Sequence, residues 1–132
     1  MVIGPTGVFC IETKTWSKPL KGDHRIKYDG GKILVNGKEI TRDPIAQVKA
    51  GSQWLYNIIE ASTGKKFSIQ PVVLFPGWYV EPMPPHAEVW VLNEKAVVTF
   101  IQNARTHIAS EDVSLITFHL KRYVISKESQ KE

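Results

Sequence analysis

Apolar residues change their spacing along this chain, and each change marks an element. Val8 to Ile11 is an unbroken apolar run behind the turn residues Gly4-Pro5-Thr6-Gly7. A short apolar run bounded by a turn predicts a strand buried on both faces. Met1-Val2-Ile3 precedes the same turn, so the two runs predict a hairpin. With Gly4 to Gly7 as its loop, Ile3 faces Val8, Val2 faces Phe9 and Met1 faces Cys10. Small antiparallel strands are expected next. Arg25 to Tyr28 and Lys32 to Val35 flank Asp29-Gly30-Gly31, and Asn36-Gly37 turns the chain again before Lys38-Glu39-Ile40.

The period then becomes helical. Ile45, Val48, Leu55, Ile58 and Ile59 form an apolar stripe, with Gln47 at its border beside Gly51 and Trp54. Asp43 is placed to cap this helix, Pro44 suits its first position, and Gly64 ends it before Lys65 and Lys66. Phe67 to Phe75 reads as a core strand, stopped by Pro76-Gly77. Trp78 to His86 is Pro-rich and reads as a stiff loop without periodicity. Glu88 to Leu92 predicts a further strand. Asn93 is placed to cap a helix bearing Ala96, Val97, Phe100, Ile101 and Ala104. Ser110 is placed to cap a last one bearing Val113, Ile116, Leu120, Tyr123 and Val124, with Glu111 and Asp112 in its first turn. The charged tail from Ser126 is expected to fray. This order predicts a three-layer α/β domain, a mixed sheet flanked by helices.

Composition narrows the class without naming a chemistry. The chain has 132 residues, 42% hydrophobic and 23% charged, which suits one soluble domain with a single core. No apolar run approaches a membrane helix in length, and the N-terminus has no basic-then-apolar leader pattern. The single cysteine, Cys10, lies in the apolar strand and has no partner for an internal disulfide, so it reads as a small core residue. Together these fit a cytoplasmic protein. The net charge of +4 permits phosphate binding but does not require it. Lys18-x-x-Lys21, Lys65-Lys66 and Lys121-Arg122 are small groups of the kind usual on solvated surfaces.

Two charges change the picture. Glu12 and Lys14 follow the apolar strand two residues apart, so they share one face at the end of a core strand. One reading is a strand end emerging into solvent with a loose ion pair. The other is a working pair, because charges in such a position need a partner or a metal.

The words around this pair are specific. Ile3-Gly4-Pro5-Thr6-Gly7-Val8-Phe9 followed by Ile11-Glu12-Thr13-Lys14-Thr15-Trp16-Ser17 resembles the nuclease-related domain, NERD, a branch of the PD-(D/E)xK nuclease superfamily. The likeness continues through Pro44-Ile45-Ala46-Gln47 and Pro71 to Pro76 and thins after Gly77. Thr15 and Lys18 depart from the family's usual Asn and Gly. The resemblance implies a restriction-endonuclease-like core with the Glu12–Lys14 strand at its centre. It implies a nuclease acting on DNA phosphodiesters with Mg²⁺ or Mn²⁺. Glu12, Lys14 and Gln47 would be catalytic. Glu12 and the backbone carbonyl of Thr13 would hold the metal. Lys14, Trp16 and Lys18 would meet nucleic acid.

The superfamily pattern also takes an Asp from the strand before E-x-K. Continuing the hairpin ladder puts that position two residues ahead of Met1, opposite Glu12. The chain is therefore expected to be N-terminally truncated, lacking the first helix and strand, weak or inactive alone, and prone to form a homodimer through an uncovered sheet edge. Asp23 and Asp29 are the candidates to take the missing carboxylate's place.

Other chemistry is thinly signalled. His24, His86, His107 and His119 are isolated and lack zinc-ligand spacing. No P-loop, dinucleotide glycine pattern or nucleophile elbow occurs. Trp16 and Trp78 border the Glu12–Lys14 region and either stack on bases or anchor the core. Two functions remain from this reading: a metal-dependent nuclease, and a non-catalytic nucleic-acid-binding or interaction domain with a nuclease fold. DNA and RNA are not distinguished by the sequence.

Overall fold

The computed structural model describes residues 1–15, 25–39 and 44–130, with side chains through Lys121. In chain order the elements are β1 (Val2–Gly4), β2 (Gly7–Thr13), β3 (Arg25–Tyr28), β4 (Ile33–Val35), β5 (Lys38–Glu39), α1 (Pro44–Thr63), β6 (Ile69–Leu74), β7 (Tyr79–Val80), β8 (Trp90–Leu92), α2 (Glu94–Gln102) and α3 (Ser110–Gln130). Asp43, Trp16, Lys18, Asp23 and His24 lie outside the described residues.

The hairpin forms in the expected register, with Ile3 opposite Val8 and Val2 opposite Phe9. Pro5 and Thr6 make the turn. Gly7 leaves it at φ +149°, and a Cβ there would sit 3.3 Å from the Phe9 ring, so this position calls for glycine. The turn is also held from far along the chain. Thr6 Oγ1 donates to the Ile101 carbonyl at 2.7 Å, and the Ile108 N–H donates to the Pro5 carbonyl at 2.9 Å.

The main sheet has the order β1-β2-β6-β8, with β2 antiparallel to β1 and parallel to β6, and β6 parallel to β8. β2 is thus an interior strand, as expected, and its alternating side chains feed two different layers. Val8 packs with Leu55 and Ile59 of α1 and Ile116 and Leu120 of α3. Phe9, on the opposite face, packs with Val72 and Leu92 and with Val97 and Ile101 of α2. Helices on both faces of a mixed sheet give the three-layer α/β domain that the pattern predicts.

Pro71 interrupts interior strand β6 at a place where the loss is made good. Pairing with β8 begins one residue later, at Val72. Beside it the Gln70 side-chain amide donates to the Glu88 carbonyl at 3.1 Å.

The small strands build a second sheet, β5-β4-β3-β7. Its inner residues Ile26, Tyr28 and Ile33 pack with Ile45 and Val48 of α1 and with Val73 and Val91 of the main sheet. One of its strands corrects the sequence reading. The Pro-rich stretch after Trp78 is not all loop: Tyr79–Val80 pairs in parallel with Arg25 and Ile26. Two residues are too few for alternation to reveal a strand; the neighbour β3 supplies the pairing.

The helix ends follow local chemistry in part. α1 stops where expected, with Gly64 at φ +73° donating its N–H to the Glu60 carbonyl at 2.8 Å. Asn93 caps α2, its Oδ1 accepting from the Lys95 and Ala96 N–H groups at 3.1 Å each. Ser110 is not the cap of α3 but its first residue, since the Val113 N–H bonds to the Ala109 carbonyl. α3 extends to Gln130. The end of α1 is tied to the start of α3 by Lys65 Nζ and Asp112 Oδ1 at 2.8 Å.

Two outcomes test this account. Asn93→Ala removes the α2 cap and the bond from Asn93 Nδ2 to the Trp78 carbonyl at 3.1 Å. Its denaturation midpoint should fall by an amount equivalent to about 1–2 kcal/mol in urea titrations. Asp29 Oδ1 accepts from the Lys32 N–H at 2.7 Å and the Gly31 N–H at 2.8 Å, and these bonds hold its carboxyl below the ordinary Asp range. A lowered folded value means that the turn's stabilisation is full above the unfolded Asp value and is lost as pH falls through the folded one. Amide shifts of residues 29–32 should report this acid transition, and Asp29→Asn should abolish it.

Candidate functional site

The site grows from the end of β2. The ladder with β6 runs one residue past the strand, the Lys14 N–H donating to the Leu74 carbonyl at 2.8 Å. Lys14 therefore leaves a fixed backbone. Strand alternation puts Val8, Cys10, Glu12 and Lys14 on one face, and α1 lies over that face. Steps of four residues on a helix, about 6 Å, nearly match steps of two on a strand, about 6.7 Å. Leu55 accordingly meets Val8, and Gly51 meets Cys10. At the far end, Gln47 meets Lys14. A Cβ on Gly51 would already lie 3.4 Å from Cys10 Sγ, so the missing side chain lets helix and strand approach closely. Cys10, expected in the core, is half-buried at this contact.

This approach brings together the residues that the sequence singles out. Lys14 Nζ donates to Gln47 Oε1 at 2.8 Å and lies 3.5 Å from Glu12 Oε1. The Lys14 side chain is 15% exposed and the Glu12 side chain 43%. The Lys14 side chain is thus largely covered, and its ammonium is held by an amide oxygen and a carboxylate. The Glu12 carboxylate remains open to solvent with acceptor capacity to spare. Thr13, one residue out of step, is exposed.

For a metal, the chain offers here the Glu12 carboxylate and the Thr13 carbonyl, the Gln47 amide oxygen being taken by Lys14. Among the described residues no group of three His, Cys, Asp or Glu side chains could hold an ion. An oxygen-only set with one carboxylate suits Mg²⁺, which keeps several waters and takes substrate oxygens as further ligands. The residues present therefore fit such an ion, held mainly by Glu12.

Other candidates fall elsewhere. Trp78 is 3% exposed and sits in the core between the two sheets, so it anchors packing and has no face for a base. Asp29 is engaged in its own turn. His86 takes a left-handed backbone, φ +59°, in the loop after β7, apart from any metal-binding group.

A second concave region was not legible in the sequence. A cavity of about 580 Å³ opens beside β8, lined by Tyr79, Met83, Trp90, Phe100 and neighbouring prolines. Trp90 and Phe100 read as ordinary strand and helix residues. Their only sequence signal is that both are aromatic.

The comparisons with known proteins agree with the motif. No curated protein and no solved structure matches the chain. The family model for NERD, the nuclease-related domain, matches residues 1–76. That stretch runs from the hairpin through β6 and contains Glu12, Lys14 and Gln47. The match covers more than half of the 132 residues, and the chain belongs to the nuclease-related domain family.

Proposed function

We propose that this domain cleaves DNA phosphodiester bonds with Mg²⁺ or Mn²⁺, at the cluster formed by Glu12, Lys14 and Gln47. The observation that carries this reading is the Lys14 ammonium, on a mostly covered side chain, bonded to Gln47 at 2.8 Å and set 3.5 Å from the solvent-facing Glu12 carboxylate. A lysine held this way is oriented before substrate arrives. It stabilises negative charge developing on a phosphoryl oxygen and orients a water for attack. Gln47 fixes the ammonium's direction and, being exposed at the start of α1, turns its remaining amide hydrogens towards water or phosphate. Glu12 and the Thr13 carbonyl would hold the ion. When bound, the ion supplies Lewis-acid polarisation and neutralises charge on the phosphate.

Removing one member at a time tests these roles. Lys14→Ala should keep its unfolding midpoint and lose roughly 10²–10³ of the cleavage rate on plasmid DNA. An unchanged rate would exclude Lys14 from the chemistry. Glu12→Gln should weaken Mn²⁺ binding in calorimetric titration by more than the roughly 10–100-fold seen for residues that merely support a metal ligand. Equal titrations of the two proteins would remove Glu12 from the ion site. Binding of DNA without any metal-dependent cleavage would favour a non-catalytic nucleic-acid-binding domain.

The net charge of +4 sets a further expectation. Logarithmic DNA affinity should fall linearly with logarithmic salt concentration, with a slope of about 0.9 per neutralised phosphate. A dissociation constant insensitive to salt would argue against phosphate contacts.

A further inference from the structure

We infer that Trp54 is a stacking platform for an unpaired nucleobase, one that seats the strand beside the bond at Glu12, Lys14 and Gln47. The inference rests on the proposed nucleic-acid substrate, but not on cleavage.

Trp54 stands on the strip of α1 that Gln47 begins. The inward stripe of this helix is Ile45, Val48, Ser52, Leu55 and Ile59. Gln47, Gly51 and Trp54 lie off it to one side. The bond from Lys14 to Gln47 and the contact of Gly51 with Cys10 identify that side as the one over β2. The step from Gln47 to Trp54 is nearly two turns, so Trp54 comes back to within about 20° of Gln47 around the helix and about 10 Å along it. Both residues belong to the layer on the face of the main sheet that carries Glu12 and Lys14. Trp54 is therefore within reach of a nucleotide neighbouring the one at Lys14.

The strip between the two is low and uncharged. Ala50 and Gly51 occupy the positions three and four after Gln47, and neither side chain is larger than a methyl group. α1 has no carboxylate before Glu60. Its one lysine, Lys49, lies on the other flank, paired with Glu88 at 3.2 Å. A strand leaving Lys14 along this strip meets no negative side chain of the helix and no bulk until Trp54.

The indole itself is open. Trp54 is 44% exposed, whereas Trp78 is buried and Trp90 is partly covered and backed by Phe9 at 5.7 Å. Its neighbour Leu55 already fills the core position against Val8. A tryptophan face at the surface offers what any base can stack on. Bases inside a duplex are stacked on one another and reach such a face only when extruded, which costs free energy. The platform thus favours a strand that is unpaired next to the scissile bond.

Photo-crosslinking in chelator tests this without cleavage. An oligothymidylate carrying 5-bromodeoxyuridine should crosslink to the tryptic peptide spanning residues 50–65, whose one tryptophan is Trp54. In fluorescence anisotropy, Trp54→Ala should weaken binding of a labelled oligothymidylate about 5- to 150-fold and leave binding of a duplex of equal length unchanged. Trp54→Phe, which keeps an aromatic face, should recover most of that loss, and Trp54→Leu, which keeps only apolar bulk, should not. Crosslinks confined to other peptides, unchanged affinity of Trp54→Ala, full recovery by Trp54→Leu, or equal losses for single strand and duplex would each overturn the platform. The crosslink needs no variant, so it decides the matter where Trp54→Ala does not fold. If the unaltered domain binds no oligothymidylate, the nucleic-acid reading fails and the platform with it. If binding and crosslink behave as expected and Mg²⁺ or Mn²⁺ elicits no cleavage, the platform stands and the nuclease reading alone fails.

Discussion

The close contact between α1 and β2 is what the rest of the site depends on. Gly51 lets the helix settle against Cys10, and that approach carries Gln47 to within hydrogen-bonding distance of Lys14. A charged group at the end of a mostly covered side chain needs polar partners. Gln47 Oε1 and Glu12 are those partners. Packing and electrostatics are therefore one arrangement here. Moving the helix outward would open a core contact and strip Lys14 of a partner at the same time.

That arrangement is braced from outside the matched family region. The hairpin that begins β2 is pinned at its turn by the Ile101 carbonyl and the Ile108 N–H. α3 completes the layer over Val8 through Ile116 and Leu120. Within that region, the second sheet closes the other end of the core, where Ile26, Tyr28 and Ile33 meet the first turns of α1 and the buried Trp78. The N-terminal motif and the C-terminal helices thus form one packed body, and β2 receives support on both faces.

The carboxyl ends of the parallel strands carry two surfaces of different character. At β2 there are charged and amide groups with one solvent-facing carboxylate. At β8 there are aromatic rings, prolines and a thioether. Open α/β sheets bind ligands at this edge because strand ends and loops converge there without obstructing the core.

The sequence by itself determined what depends on near neighbours. The hairpin register follows from a two-residue turn between apolar runs, and strand parity put Glu12 and Lys14 on one face. Helical spacing placed Gln47 at the edge of the buried stripe, and Asn93 and Gly64 marked helix ends through local hydrogen bonds. Only the tertiary structure decided what depends on distant partners. Trp78 was assigned to the core by residues of both sheets, and Tyr79–Val80 became a strand because β3 was there to pair with it. The same holds for the aromatic groove, whose walls come from β7, β8 and α2. Periodicity encodes which face of an element is buried, but a pairing or a cavity exists only once separate elements are packed together.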